Sequence, residues 1–123
     1  MPKPRRPFLR LDTVILRVRD IKKARAWYQQ KLGFRPTYSD DDEKLVVFDL
    51  QGTTSLTLWQ LKEKEKLTVS STYPIFLAED IHAAHETLAA QHVKTEPVTE
   101  TNGLRWFGFY DPDGNRLEVC QVA

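Results

Sequence analysis

The sequence is short of the residues that carry much of metal and redox chemistry. It holds one cysteine, Cys120, and three histidines, His82, His85 and His92. A single thiol excludes an internal disulfide and a cysteine-based zinc site. The three histidines crowd onto or just after one helical pattern, on an element expected to pack outside its sheet, and they read as ordinary helix-surface residues. No apolar run approaches the roughly 18 residues of a membrane-spanning helix, and no signal-peptide core is present. Charge of one sign is lacking too. The formal net charge is +1, which leaves no field to gather nucleic acid or an anionic membrane. The expectation is a cytoplasmic protein with neither nucleic acid nor membrane as partner.

What is present is an ordinary globular composition: 123 residues, 41% hydrophobic and 28% charged. A chain of this size buries roughly two-thirds of its unfolded surface, so one core needs no staple. Lys3, Arg5, Arg6 and Arg10 lie among Pro2, Pro4 and Pro7. Residues 1–8 are therefore a basic, proline-rich arm, either solvated or docked on a partner subunit. Residues 9–123 form a single domain.

The chain repeats itself. Asp20-Ile21 with Ala24 recurs as Asp80-Ile81 with Ala84, and Phe48-Asp49 with Gly52 recurs as Tyr110-Asp111 with Gly114. Leu56-Thr57-Leu58 with Gln60 recurs as Leu117-Glu118-Val119 with Gln121. Three matches in one order and at nearly one shift indicate two copies of one unit.

Each copy reads alike. Over 11–18, Val14, Leu16 and Val18 alternate with Thr13, Ile15 and Arg17, a strand with two distinct faces. Asp20 is placed to cap a helix, and Ile21, Ala24, Trp27, Tyr28 and Leu32 form its apolar stripe before Gly33 stops it. Strands are predicted over 34–38, 45–50 and 55–61, with a solvated acidic turn at 39–43. The second copy gives a strand over 73–78, a helix capped by Asp80, and strands over 93–98, 104–110 and 116–122. Asp111-Pro112-Asp113-Gly114-Asn115 is turn chemistry, and 62–71 is a polar connection. The fold class is α+β: two βαβββ modules in tandem, about 11–61 and 72–123, whose paired four-stranded sheets enclose a cleft.

In Val14-Ile15-Leu16-Arg17-Val18-Arg19-Asp20-Ile21, Ala26-Trp27-Tyr28, Leu32-Gly33-Phe34 and the block from Phe109 to Glu118, the chain resembles the vicinal oxygen chelate superfamily. That group includes glyoxalase I, extradiol dioxygenases, fosfomycin-modifying enzymes and bleomycin-resistance proteins. The resemblance implies four metal-ligand positions, which fall here on Thr13, Thr57, Tyr73 and Glu118. Only Glu118 fits. One carboxylate, two hydroxyls and a phenol make a poor trap for a divalent ion, so no metal and no other cofactor is expected. The chain is similar to the metal-free branch. Related proteins also form dimers that combine modules from two chains, which implies a homodimer.

Strand alternation puts Thr13, Ile15, Arg17, Thr57, Trp59, Leu61, Tyr73, Ile75, Leu77, Glu118 and Cys120 on the cleft side. On the 104–110 strand either Arg105, Phe107 and Phe109 point in, or Trp106 and Tyr110 do. Trp59 and Tyr73 are stacking surfaces for a ligand or packing between modules. Glu118 needs compensation, from Arg17, from Arg105 or from a ligand, and it is the one weak candidate for a catalytic base. The ligand-binding candidates are thus Thr13, Arg17, Thr57, Trp59, Tyr73, Arg105, Trp106 and Glu118. The expected function is metal-independent binding of a partly aromatic small molecule. The alternatives are a metal-dependent glyoxalase- or dioxygenase-like enzyme with displaced ligands, and a structural domain whose cleft has closed.

Overall fold

The computed structural model describes residues 7–68 and 70–122. The arm expected over 1–8 lies, up to residue 6, outside the described residues; Pro7 and Phe8 are exposed. Module one runs β1 (Thr13–Val18), α1 (Ile21–Leu32), β2 (Arg35–Asp40), β3 (Leu45–Asp49) and β4 (Ser55–Gln60). Module two runs β5 (Ile75–Leu77), α2 (Ile81–Ala90), β6 (Lys94–Thr95), β7 (Thr99–Thr101), β8 (Leu104–Tyr110) and β9 (Arg116–Val122). The sheets are β1-β4-β3-β2 and β5-β9-β8-β6, with β7 also on β8. The single strand expected over 93–98 is thus two short ones. Pro97 sits between them without an amide hydrogen to give the ladder, and the second sheet has five strands rather than four. Among the described residues no helix is long and apolar enough to cross a membrane.

Both helices begin where the repeat placed them. The Asp20 carboxylate accepts from the Lys22 and Lys23 amides, and Asp80 accepts from those of His82 and Ala83. Each helix also gives its first amide to a glutamine on the module's last strand: Ile21 to Gln60, Ile81 to Gln121. That shared bond is a physical reason for the glutamine to recur. Gly33 ends α1 at φ 70°, where a residue without Cβ is least strained. One of the repeats shifts by a residue in the fold. Phe48 pairs with Leu56 and Phe109 with Leu117, so Phe48 corresponds to Phe109 and not to Tyr110. Asp111 lies one residue beyond the ladder, turned inward.

The helix-covered faces of the two sheets merge into one core. Val18, Phe48, Leu56 and Leu58 from one sheet and Phe107, Phe109 and Leu117 from the other are almost wholly buried. Tyr28, Phe34, Phe76 and Phe109 carry a run of aromatic contacts between the modules, with centroids 5.5–6.4 Å apart at successive rings. The polar junction is at the 111–115 turn. Tyr28 donates to Asp111 Oδ2 at 2.7 Å, Asn115 Nδ2 donates to the Arg17 carbonyl at 2.9 Å, and the Arg19 amide donates to Asp113 at 3.0 Å. Burial, reinforced by the Asp111 charge, raises the Tyr28 hydroxyl well above its usual range. Burial also raises Asp111, against the donors from Asn115 and Tyr28 that favour its charge.

Tyr28→Phe removes one donor from a buried carboxylate and is expected to cost about 1–3 kcal/mol in urea unfolding. Combined with Asp111→Ala the loss should be clearly less than additive, because both changes remove the same bond.

Candidate functional site

Each sheet has one face under its helix and one face free of it. On the first sheet the free face is built of rows across the strands: Ile15, Thr57, Val47 and Tyr38 in one, Arg17, Trp59, Leu45 and Asp40 in the next. On the second the rows are Ile75, Glu118 and Gly108, then Leu77, Cys120 and Trp106, then Val122 and Leu104. Within one chain these faces stay open: Ile15 is 47% exposed, Ile75 54%, Leu77 76% and Val122 68%. A groove of 720 Å³ follows the junction between the outer edges of β1 and β5, touched by Ile15, Arg17, Tyr73 and Ile75 and by the 65–68 connection.

The module-one half holds Thr13, Thr57, Arg17 and Trp59. Thr13 Oγ1 donates to the Ser55 carbonyl at 3.2 Å and lies 2.7 Å from Thr57 Oγ1, so the Thr57 hydroxyl donates to it. Arg17 does not reach Glu118. It grips Glu65 with both terminal nitrogens at 2.8 and 3.0 Å, and its guanidinium lies 4.6 Å from the centre of the Trp59 ring. Hydrogen bonding by Arg17 holds the Glu65 carboxyl below its usual range. Trp59 gives its indole N–H to the Glu43 carbonyl at 3.0 Å and is fixed in place. Much of its stacking capacity is therefore already used by the protein's own cation.

The module-two half centres on Arg116, a residue that sequence reasoning overlooked. Glu118, 7% exposed, is paired with Arg116, whose Nη2 is 2.8 Å and Nε 3.2 Å from Glu118 Oε2. Arg116 Nη1 reaches Glu96 Oε2 at 2.9 Å and the Tyr110 hydroxyl at 2.8 Å, while that hydroxyl donates to Glu96 at 2.8 Å. The guanidinium carbon also sits 5.3 Å from the Tyr73 ring centre and 5.7 Å from that of Tyr110. Hydrogen bonds to Glu96 and Glu118 push Arg116 above the ordinary guanidinium range, and Arg116 with Tyr110 holds Glu96 below the ordinary carboxylate range. A signal was available. Residues two apart on a strand share a face, so Arg116 had to lie beside Glu118.

Arg105 corrects the other proposed pairing. It stands in register with Gln121, on the helix side of β8 with the buried Phe107 and Phe109, and pairs with Glu100 at 3.2 Å. Trp106 and Tyr110 occupy the face that carries Glu118. His85 is also less superficial than expected: its Nε2 lies 3.0 Å from the Glu96 carbonyl and its ring meets Phe107 edge-on. Among the described residues no three His, Cys, Asp or Glu side chains cluster as a metal site would require. The structure thus brings together Thr13 with Thr57, Arg17 with Trp59, and Tyr73 with the Arg116–Glu118 pair. No hydrogen bond among the described residues joins the threonine pair to Glu118.

A Cβ on Gly108 would lie 2.5 Å from both Arg116 Nη2 and Glu96 Oε1, the movable ends of two side chains. Gly108→Ala is expected to displace the guanidinium while keeping the sheet, at about 1–3 kcal/mol. Glu96, lowered in the fold, stabilises fully above the ordinary glutamate range, and that contribution fades as pH falls through its lowered value. Stability measured against pH should show this acid limb in the native chain and a weaker one in Gly108→Ala.

The Glyoxalase/Bleomycin resistance protein/Dioxygenase superfamily model matches residues 10–119. Among curated proteins, none matches the chain. An antibiotic binding protein, TnmS3 from Streptomyces sp. CB03234, superposes with TM-score 0.82 at 20% identity, over 97% of this chain and 100% of that one. Lactoylglutathione lyase from Agrobacterium tumefaciens gives 0.77 at 22%, over 94% and 96%. The genomically encoded fosfomycin resistance protein FosX from Listeria monocytogenes gives 0.76 at 19%, over 94% and 95%. At these identities the likeness is one of fold.

Proposed function

The chain belongs to the glyoxalase/bleomycin resistance protein/dioxygenase superfamily, and from that premise we propose a metal-independent protein that binds a partly aromatic small molecule against its helix-free faces. The observation that carries this reading is the Arg116–Glu118 pair. Of the four positions where the superfamily's enzymes hold their metal, only Glu118 offers a charged oxygen, and Glu118 Oε2 is already bound twice by a guanidinium. Thr13 and Thr57 spend their hydroxyls on each other and on Ser55, and Tyr73 lies against the same guanidinium. A divalent ion needs several charged or strongly donating oxygens or nitrogens at about 2.0–2.6 Å. This donor set does not fit one, and no reaction step is assigned through a metal. The same geometry disfavours Glu118 as a general base, because its paired oxygen is committed to Arg116.

What remains suits capture. Trp106 and Tyr73 flank Glu118 with partly exposed aromatic surface, and Ile75 and Leu77 supply apolar area beside them. Among the described residues Glu118 Oε1 takes no hydrogen bond from the protein, which leaves it to orient a ligand N–H or O–H. The antibiotic binding protein of the same fold supports ligand holding as a role for this scaffold. The open apolar rows on both modules argue for a second copy as their cover, since a lone soluble chain seldom leaves such area bare. In that homodimer, the module-one face of one copy meets the module-two face of the other, joining Thr13, Thr57 and Trp59 to Glu118 and Tyr73. Free Cys120, on the same face, suits a reducing cytoplasm.

Tryptophan fluorescence and thermal shift against a panel of planar aromatic compounds should identify a ligand, and Trp106→Ala should weaken it about tenfold or more. Metal analysis of tag-free protein tests the chemistry: stoichiometric iron, nickel, zinc or manganese would overturn the reading. Light scattering should give a dimer in the native chain and a monomer in Leu77→Asp. A native monomer would remove the shared site.

A further inference from the structure

The surroundings of Arg116 have the form of a cation site. Three oxygens converge on one guanidinium: Glu96 Oε2 at 2.9 Å, Glu118 Oε2 at 2.8 Å and the Tyr110 hydroxyl at 2.8 Å. They arrive from three strands or their flanks, so their convergence is tertiary. Glu96 follows β6 and is tied down by its amide on the Gly108 carbonyl at 2.8 Å, Tyr110 ends β8, and Glu118 is central in β9. The floor is Gly108, where a Cβ would come within 2.6 Å of the guanidinium carbon. Only glycine leaves that volume clear.

We propose that Arg116 is the specificity-determining residue of this face: Glu96, Glu118, Tyr110 and Gly108 form a cradle for a cation, and the guanidinium is the cation that fills it. The inference rests on the metal-independent reading above and supplies its cause. Two carboxylates facing one small volume repel, and a positive charge held between them offsets that repulsion. Arg116 resolves that conflict permanently, because a guanidinium stays protonated at every physiological pH. Its planar fork satisfies both acids at once, which a point charge on a lysine would do less well. The same two acids and phenol, with the guanidinium taken away, present hard oxygen donors carrying two negative charges. That is the chemistry a divalent ion such as Mn²⁺ selects. On this face the choice between holding an ion and holding an organic ligand therefore lies with one side chain.

The test uses the full chain as Arg116→Ala, with Mn²⁺ and methylguanidinium as separate probes. Loss of the free Mn²⁺ electron paramagnetic resonance signal reports binding, and the thermal midpoint reports filling of the cradle. The native chain should leave the Mn²⁺ signal unchanged. Arg116→Ala should deplete it and gain several degrees from millimolar Mn²⁺ or methylguanidinium, and Arg116→Ala with Glu118→Gln should lose both responses. A plain packing role for Arg116 would lower stability without any response to either cation, and that result overturns the cradle while leaving metal independence intact. Mn²⁺ bound stoichiometrically by the native chain overturns the metal-independent reading itself. If Arg116→Ala is unfolded alone, folding on addition of Mn²⁺ or methylguanidinium supports the cradle. Arg116→Met, which keeps much of the side-chain volume, then serves as the second variant, and failure of both variants to respond to either cation overturns the proposal.

Discussion

A carboxylate only 5% exposed has to find hydrogen-bond donors inside the protein, and Asp111 finds four. Its Oδ1 accepts from the amides of Asp113 and Asn115, its Oδ2 from the Tyr28 hydroxyl and Asn115 Nδ2. Three of these bonds lie within the turn between β8 and β9, and the fourth fastens that turn to the first module's helix. The Asn115 side chain then reaches the Arg17 carbonyl, so the same node touches the last part of β1. Arg116 begins β9 one residue after Asn115. The start of β9 on one module and the end of β1 on the other are thus tied to one buried acid.

The two modules show how a duplicated scaffold diverges in chemistry while keeping its frame. Ile15 faces Thr57 on one sheet as Ile75 faces Glu118 on the other, in the same parallel register. Both helices hang from the same aspartate cap and the same glutamine. Across the next strand Thr57 meets Val47, whereas Glu118 meets Gly108. A valine closes that position; a glycine opens room for an arginine and a second acid. The parallel register of the first and last strands is shared, and the side-chain volume differs between the two faces.

The polar groups of the two faces are satisfied within the chain itself. Among the described residues no buried side-chain nitrogen or oxygen lacks a hydrogen-bond partner. Arg17 stacks on Trp59 and is held by Glu65, and Arg116 is held by Glu96 and Glu118. The polar groups are preorganised by each other, and the uncovered part of the faces is largely apolar. Under the proposed binding role, such a surface would favour a ligand that brings its own planar area and a few hydrogen bonds, with little reorganisation to receive it.

The tandem modules, both helix caps, the Gly33 stop, the strands at 104–110 and 116–122 and the inward rows of Val18, Leu56 and Leu58 were legible in the sequence, because local chemistry and strict alternation dictate them. The expectation that Thr13, Thr57 and Tyr73 suit no metal likewise rests on residue type alone. Tertiary structure alone decided that Arg17 turns to Glu65 and away from Glu118, which face of β8 turns to the site, and that the strand around Pro97 is divided in two. The pairing of Glu96 with Arg116 across three strands follows from sheet register and from the empty volume over Gly108. Neither is a property of any short stretch of chain: a side chain's partner is set by what folding brings within about 3 Å, and that distance exists only after the strands have paired.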